Sequence, residues 1–175
     1  MNSLNDIIKH KTRVLFTPKW LQTLTYGTPS SLIKRLIEHH LNHTFKSQIN
    51  DGELEFLIDK CICIEIKNIP LNLFISLDNS SKKVQVLVLK SNYITQNMTR
   101  FDGKLSGSSD SFLQLISGQS DPDTLFFRRQ LTIEGDTELC LIFKNWLDTQ
   151  DPHSSLPTSI YSSLQDYVAS AIDNT

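Results

Sequence analysis

Three small sets of side chains could do chemistry. His39, His40 and His43 lie together in "HHLNH". On a helix, His39 and His43 fall on one face, the spacing of a two-imidazole metal grip. The zinc-protease form of that pair also carries a glutamate immediately after the first histidine, where "HHLNH" has His40 instead. The three are read as solvated helix histidines. Cys61 and Cys63 alternate in "CICIEIK", so a strand would turn both thiols to one side. A thiolate pair is conceivable there, but the expected role is small, apolar packing. Glu134, Asp136 and Glu138 crowd one turn, whereas paired-acid catalysis needs carboxylates that converge across a cleft. No Gly-x-Ser-x-Gly elbow, P-loop or Gly-x-Gly-x-x-Gly occurs. The expectation is no catalytic residue, no metal site and no cofactor.

Charges also gather in "QSDPDTLFFRRQLTIEGDTEL", Gln119–Leu139, and each has a structural use. Asp121 can cap a helix that begins at Pro122, and Asp123 in its first turn favours the helix dipole. Leu125, Phe126 and Phe127 form the apolar end of that helix. Arg128 and Arg129 lead into a strand, where alternation would send them to opposite faces. Gly135 supplies a tight turn and Asp136 can cap the next helix.

The elements that position these groups follow from periodicity. Residues 4–24 read as helix interrupted near Pro18. Thr28 is a plausible N-cap with Pro29 at the first helical position, and Leu32, Ile33, Leu36, Ile37, Leu41 and Phe45 keep helical spacing until Asp51-Gly52. The period then changes to two. Ile62, Ile64 and Ile66 share a face, as do Leu71, Leu73, Ile75 and Leu77, and, after a turn at Asn79–Ser81, Val84, Val86 and Val88. A fourth strand is expected around Thr99–Leu105 and a fifth at Leu131 and Ile133. "SSDSFLQLISG" has serine caps in front and Gly118 behind. Leu139, Ile142, Phe143, Trp146 and Leu147 make the clearest helical stripe. After a polar linker, Ile160, Leu164, Tyr167, Val168 and Ala171 predict a last amphipathic helix.

The expected fold class is α+β: a mostly antiparallel sheet of about five strands with helices covering one apolar face. Lys and Arg number 17 against 19 Asp and Glu, which disfavours nucleic acid as a partner. No signal peptide or membrane-spanning run is expected, and three sparse cysteines fit a reducing cytoplasm. The apolar layer can be a packed core or a cavity for an apolar ligand, and periodicity allows both.

Three segments carry a resemblance: "DGELEFL" at Asp51–Leu57, "DPDTLFFRRQLTIEGDTELCL" at Asp121–Leu141 and "KNWLD" at Lys144–Asp148. They resemble the UbiT group of bacterial ubiquinone-biosynthesis accessory factors, within the sterol carrier protein type two domain family. The likeness covers roughly residues 40–150. It implies a hydrophobic tunnel between sheet and helices, and a non-enzymatic protein that binds lipid without transforming it. The implied ligand is a polyprenylated ubiquinone precursor, with a phospholipid as the alternative occupant. The implied setting is the oxygen-independent route, alongside the partner hydroxylation proteins UbiU and UbiV. A scaffold adaptor with no lipid ligand is the competing reading.

This divides the chain into an N-terminal helical extension (1–27), a lipid-binding domain (28–150) and a linker with a C-terminal helix (151–175). From facing direction, the expected wall is Leu139, Ile142, Phe143, Trp146 and Leu147, set across from Leu131, Ile133, Phe101 and the first-strand isoleucines Ile62, Ile64 and Ile66. Phe112, Leu115 and Ile116 join it from the serine-capped helix, and Leu125, Phe126 and Phe127 from the short one. Arg128 and Arg129 are candidates for a head-group or partner contact. Leu4, Ile7, Ile8, Leu15 and Trp20, interleaved with basic residues, would either lie on a membrane surface or pack on the domain. The expected location is cytoplasmic, peripheral to the inner membrane if that segment docks.

Overall fold

The computed structural model describes residues 18–90, 100–151, 161, 162 and 165. The part of the expected N-terminal helix before Pro18 therefore lies outside the described residues. So does most of the expected C-terminal helix, of which Tyr161, Ser162 and Gln165 are helical. Helix α1 runs Pro18–Gly27. Gln22 on it donates to the Asn68 carbonyl, tying α1 to the turn that follows the first strand.

The period-two segments pair as their patterns require. Strands β1 (Ile62–Ile66), β2 (Leu71–Asp78), β3 (Lys83–Leu89), β4 (Gly103–Gly107) and β5 (Leu131–Gly135) form one sheet in the order β3-β2-β1-β4-β5. All pairs are antiparallel except the central one, β1 with β4. Register stacks the apolar residues of one face in rows. One row is Val88, Leu73, Ile64, Leu105 and Ile133, and the next is Val86, Ile75, Ile62 and Gly103. A slip of one residue would turn these side chains to the other face, so burial fixes the pairing. At the β2–β3 turn the Asp78 carboxylate accepts from the backbone N–H groups of Ser80 and Ser81, both at 2.8 Å.

Helix α2 (Ser30–Thr44) packs on β3, and the short α3 (Lys46–Asn50) follows it and buries Ile49 in the core. Ile33, Ile37, Leu41, Phe45 and Ile49 face the sheet. The start of α2 differs from expectation by one position. Pro29 is the N-cap, extended at ψ 139°, and no side chain caps the helix. The Pro29 carbonyl itself accepts from Leu32 and Ile33. The Thr28 carbonyl is taken up by the Lys90 ammonium. Glu38 and Asn42 on α2 also reach the outer edge of β3. Asn42 donates to the Val84 carbonyl at 2.8 Å and accepts from the Val84 N–H at 2.9 Å, while Glu38 accepts from the Val86 N–H at 2.8 Å. An unpaired strand edge is thereby closed by side chains.

The second half alternates helix and strand. Helix α4 (Ser109–Ile116) is capped by Ser108, α5 (Pro122–Phe127) by Asp121, and α6 (Thr137–Asp148) by Asp136. Two close approaches depend on glycine. A Cβ on Gly103 would stand 2.5 Å from the Cys140 Sγ, so its absence lets α6 settle on β4. Gly135 has φ +83°, and a Cβ there would meet the Asp102 carbonyl oxygen at 2.4 Å.

Candidate functional site

Helices and sheet enclose an apolar layer on one face, and it is not one uniform core. The larger cluster joins β1–β4 to α2, α3 and α6 through Leu57, Ile62, Val86, Leu105, Leu139 and Phe143. The smaller one, Phe112, Leu125 and Leu131, lies under α4 and α5. Ile64, half-buried at the centre of the sheet, packs against both. The two greasy clusters therefore meet in a seam at Ile64.

Helix α6 forms much of the roof. Leu139 and Phe143 are buried, and Trp146 and Leu147 are half-buried against the larger cluster. Ile142 does not join them: it is 41% exposed, and Cys140 occupies the buried face instead. The helix is rotated so that the Leu139–Cys140 edge faces β4, which the Gly103 notch permits. At the far end Phe143 and Trp146 stack at 6.1 Å between centroids, Phe45 meets Trp146 edge-on at 5.0 Å, and Phe56 meets Phe143 at 6.5 Å. The Trp146 indole N–H donates to the Glu53 carboxylate at 3.2 Å. Glu53 and Phe56 thus join α6 to the segment after α3, giving the two separate motif strings a common place.

The remaining expected wall residues divide. Phe112, Leu115, Leu125 and Leu131 meet in the smaller cluster, and Ile133 packs on the larger one. Ile116, Phe126 and Phe127 are exposed. Phe101 lies on the other side of the sheet, 6.4 Å from Phe74, whose strand neighbours Leu73 and Ile75 face the core. Arg128 and Arg129 do not alternate as strand residues. Arg128 ends α5 at ψ 1° and Arg129 has φ 58°, so both belong to a turn and both are exposed. The strand starts only at Leu131 because three turn hydrogen bonds, from the N–H groups of Arg128, Arg129 and Gln130, finish the helix first.

The opposite face of the sheet is polar toward β4 and β5. Lys104 reaches Glu134 at 3.0 Å and Glu65 at 3.4 Å, and the Ser106 hydroxyl donates to Glu65 at 2.8 Å. Burial disfavours the Lys104 ammonium, but the hydrogen bond and attraction of Glu134, with those of Glu65, outweigh it and raise its pKa. Burial, with Glu65 nearby, pushes the Cys63 thiol up to about 12, and burial with Asp102 pushes Cys61 up to about 11. Both are protonated, poor nucleophiles at neutral pH. His39 and His43 stack at 6.2 Å on the outer side of α2. Among the described residues, no group of three or more His, Cys, Asp or Glu is placed to hold a metal ion. Also among them, no helix is long and apolar enough to cross a membrane.

Sequence reasoning missed Cys140, Lys144 and Glu53 as parts of this roof. The helical step from Leu139 to Phe143 was a usable signal, since Cys140 and Lys144 continue the same side of α6.

Comparison with known proteins agrees with this architecture. A profile described as the SCP-2 sterol transfer family matches residues 37–148. A relative named ubiquinone biosynthesis accessory factor UbiT, from Escherichia coli, is 37% identical over 131 residues, covering 75% of this chain and 69% of its own. A solved structure described as a UbiJ-SCP2 ubiquinone synthesis protein superposes with a TM-score of 0.53 at 20% identity, over 69% of this chain and 93% of its own. An apo sterol carrier protein 2 from Yarrowia lipolytica aligns at 22% identity and TM-score 0.45, over 67% of this chain and 88% of its own.

Proposed function

This chain belongs to the SCP-2 sterol transfer family, and from that premise we propose that it is a non-enzymatic, lipid-binding accessory factor of ubiquinone biosynthesis. The bound lipid is a polyprenylated ubiquinone precursor, which the protein shields and presents to partner hydroxylases of the UbiU and UbiV kind on the oxygen-independent route. Residues 28–150 form the lipid-binding unit, with 1–27 and 151–175 as appendages to it. The work is cytoplasmic.

One observation supports this reading above others: the apolar layer is split into two clusters that share Ile64. A prenyl tail laid along that seam would touch Ile64 below and α6 above. Burial is worth about 0.8 kcal/mol per methylene-sized carbon, and an isoprene unit has about five carbons. Two buried units then offer several kcal/mol, of the order of the cost of association. Affinity should therefore follow tail length more than ring chemistry.

The test is displacement of a fluorescent lipid from delipidated protein by quinone precursors of increasing tail length. Rising affinity with each added isoprene, and little change on altering ring substituents, is expected. Affinity that ignores the tail would refute the seam as the binding site. A phospholipid that displaces the probe better than any prenylated compound would assign the same seam to a general phospholipid carrier.

A further inference from the structure

The turn after α5 presents a combination that packing does not explain. Phe127 is 80% exposed and Phe126 42%, the two rings 6.1 Å apart, and Arg128 and Arg129 follow directly, both exposed. No acid pairs with either arginine among the described residues. The acids of the same helix stand at its other end and are engaged, Asp121 with Thr124 and Asp123 with Lys144. The turn is also held in shape. Leu125, fully buried, roots it, and the N–H groups of Arg128, Arg129 and Gln130 bond back to Thr124, Phe126 and Leu125.

We propose that Phe126, Phe127, Arg128 and Arg129 form a membrane-docking finger that sets its two rings among the head groups of an anionic bilayer while the arginines hold lipid phosphates. The charge pattern selects that partner: aromatic rings favour the interfacial zone, and unpaired guanidinium groups match phosphate in two-point geometry. A finger already folded into shape loses little conformational freedom on docking. The proposal holds whether or not the interior carries a lipid, and its test does not depend on that cargo.

The full chain is sedimented with phosphatidylcholine vesicles and with vesicles that also contain phosphatidylglycerol, at low and high salt. The wild type should bind the anionic vesicles and be released by salt, which screens the arginine contacts. Phe127→Ser should weaken that binding by about tenfold or more, the effect of withdrawing one ring from burial. Arg128→Gln with Arg129→Gln should abolish the preference for phosphatidylglycerol while leaving the thermal melt unchanged. The proposal is overturned if the folded wild type binds neither vesicle, which would leave a protein as the occupant of this surface. It is equally overturned if all variants bind as the wild type does, which would put docking elsewhere on the chain.

Discussion

The Lys144 ammonium on α6 is bonded to the Asp123 carboxylate in the first turn of α5, with Lys144 buried and its partner largely in solvent. This ion pair ties the roof helix to the helix that carries the exposed turn. The two sides of the pair are not equivalent. Asp123→Asn leaves an ammonium in a site with little water and should cost about 1–2 kcal/mol, discounted for the exposure of the carboxylate. Lys144→Met keeps the packed stem, frees Asp123 to water and should cost less. The double variant should recover most of the loss of Asp123→Asn in urea melts; simple additivity would mean the pair is not coupled.

Gly103 is the contact on which the seating of α6 depends. Gly103→Ala puts a methyl into the Cys140 Sγ and should cost about 1–3 kcal/mol by overpacking. Adding Cys140→Ala removes the opposing sulfur and should restore part of that stability. No recovery in the double variant would show that the Asp136 carbonyl, 3.3 Å from the added carbon, sets the limit instead.

Asn42 closes the β3 edge in both hydrogen-bonding directions, so Asn42→Ala leaves the Val84 N–H and carbonyl without it. The expected cost is about 1–3 kcal/mol, with a greater tendency to aggregate through the opened edge. Light scattering during a thermal ramp reads the second effect. Unchanged scattering and an unchanged melt would remove the edge-sealing role.

Stability should fall at both ends of the pH scale. Folding raises the Cys61 and Cys63 thiols from 9.0 to about 11 and about 12, so the unfolded chain gives up these protons first and stability declines as pH rises above 9.0. At the acid end, Asp78, Asp121 and Asp136 are held below the usual 3.8, chiefly by backbone hydrogen bonds or, for Asp121, the Thr124 hydroxyl. Their contribution is present above that value and lost as pH falls through the folded values. Cys63→Ala should flatten the alkaline limb of urea midpoints while leaving the acid limb in place; an unchanged alkaline limb would contradict the assignment.

Much of the fold was legible because period two and period 3.6 leave different marks. Val84, Val86 and Val88, and Leu71 to Leu77, point as their alternation requires, and Asp121, Asp136 and Ser108 cap the helices they precede. What was not legible depends on contacts between distant segments. Ile142 fits a helical stripe as well as Cys140 does, and only the notch at Gly103 decides which faces the sheet. Phe101 precedes β4 and goes to the other face, against Phe74, a choice no local pattern encodes. Arg128 and Arg129 look like the start of a strand, but helix-ending hydrogen bonds hold them in a turn.

The most direct measurement is the lipid carried per mole of purified protein, by mass spectrometry of organic extracts, for wild type and Phe143→Ala, beside their urea melts. In a solid core, removing the Phe143 ring should cost roughly 3–5 kcal/mol. If α6 roofs a lipid seam, the wild type carries a stoichiometric prenylated precursor or phospholipid, and Phe143→Ala loses most of that lipid for a smaller loss of stability. A wild type free of lipid, with the full stability cost in the variant, would make the layer a plain core and contradict the carrier account.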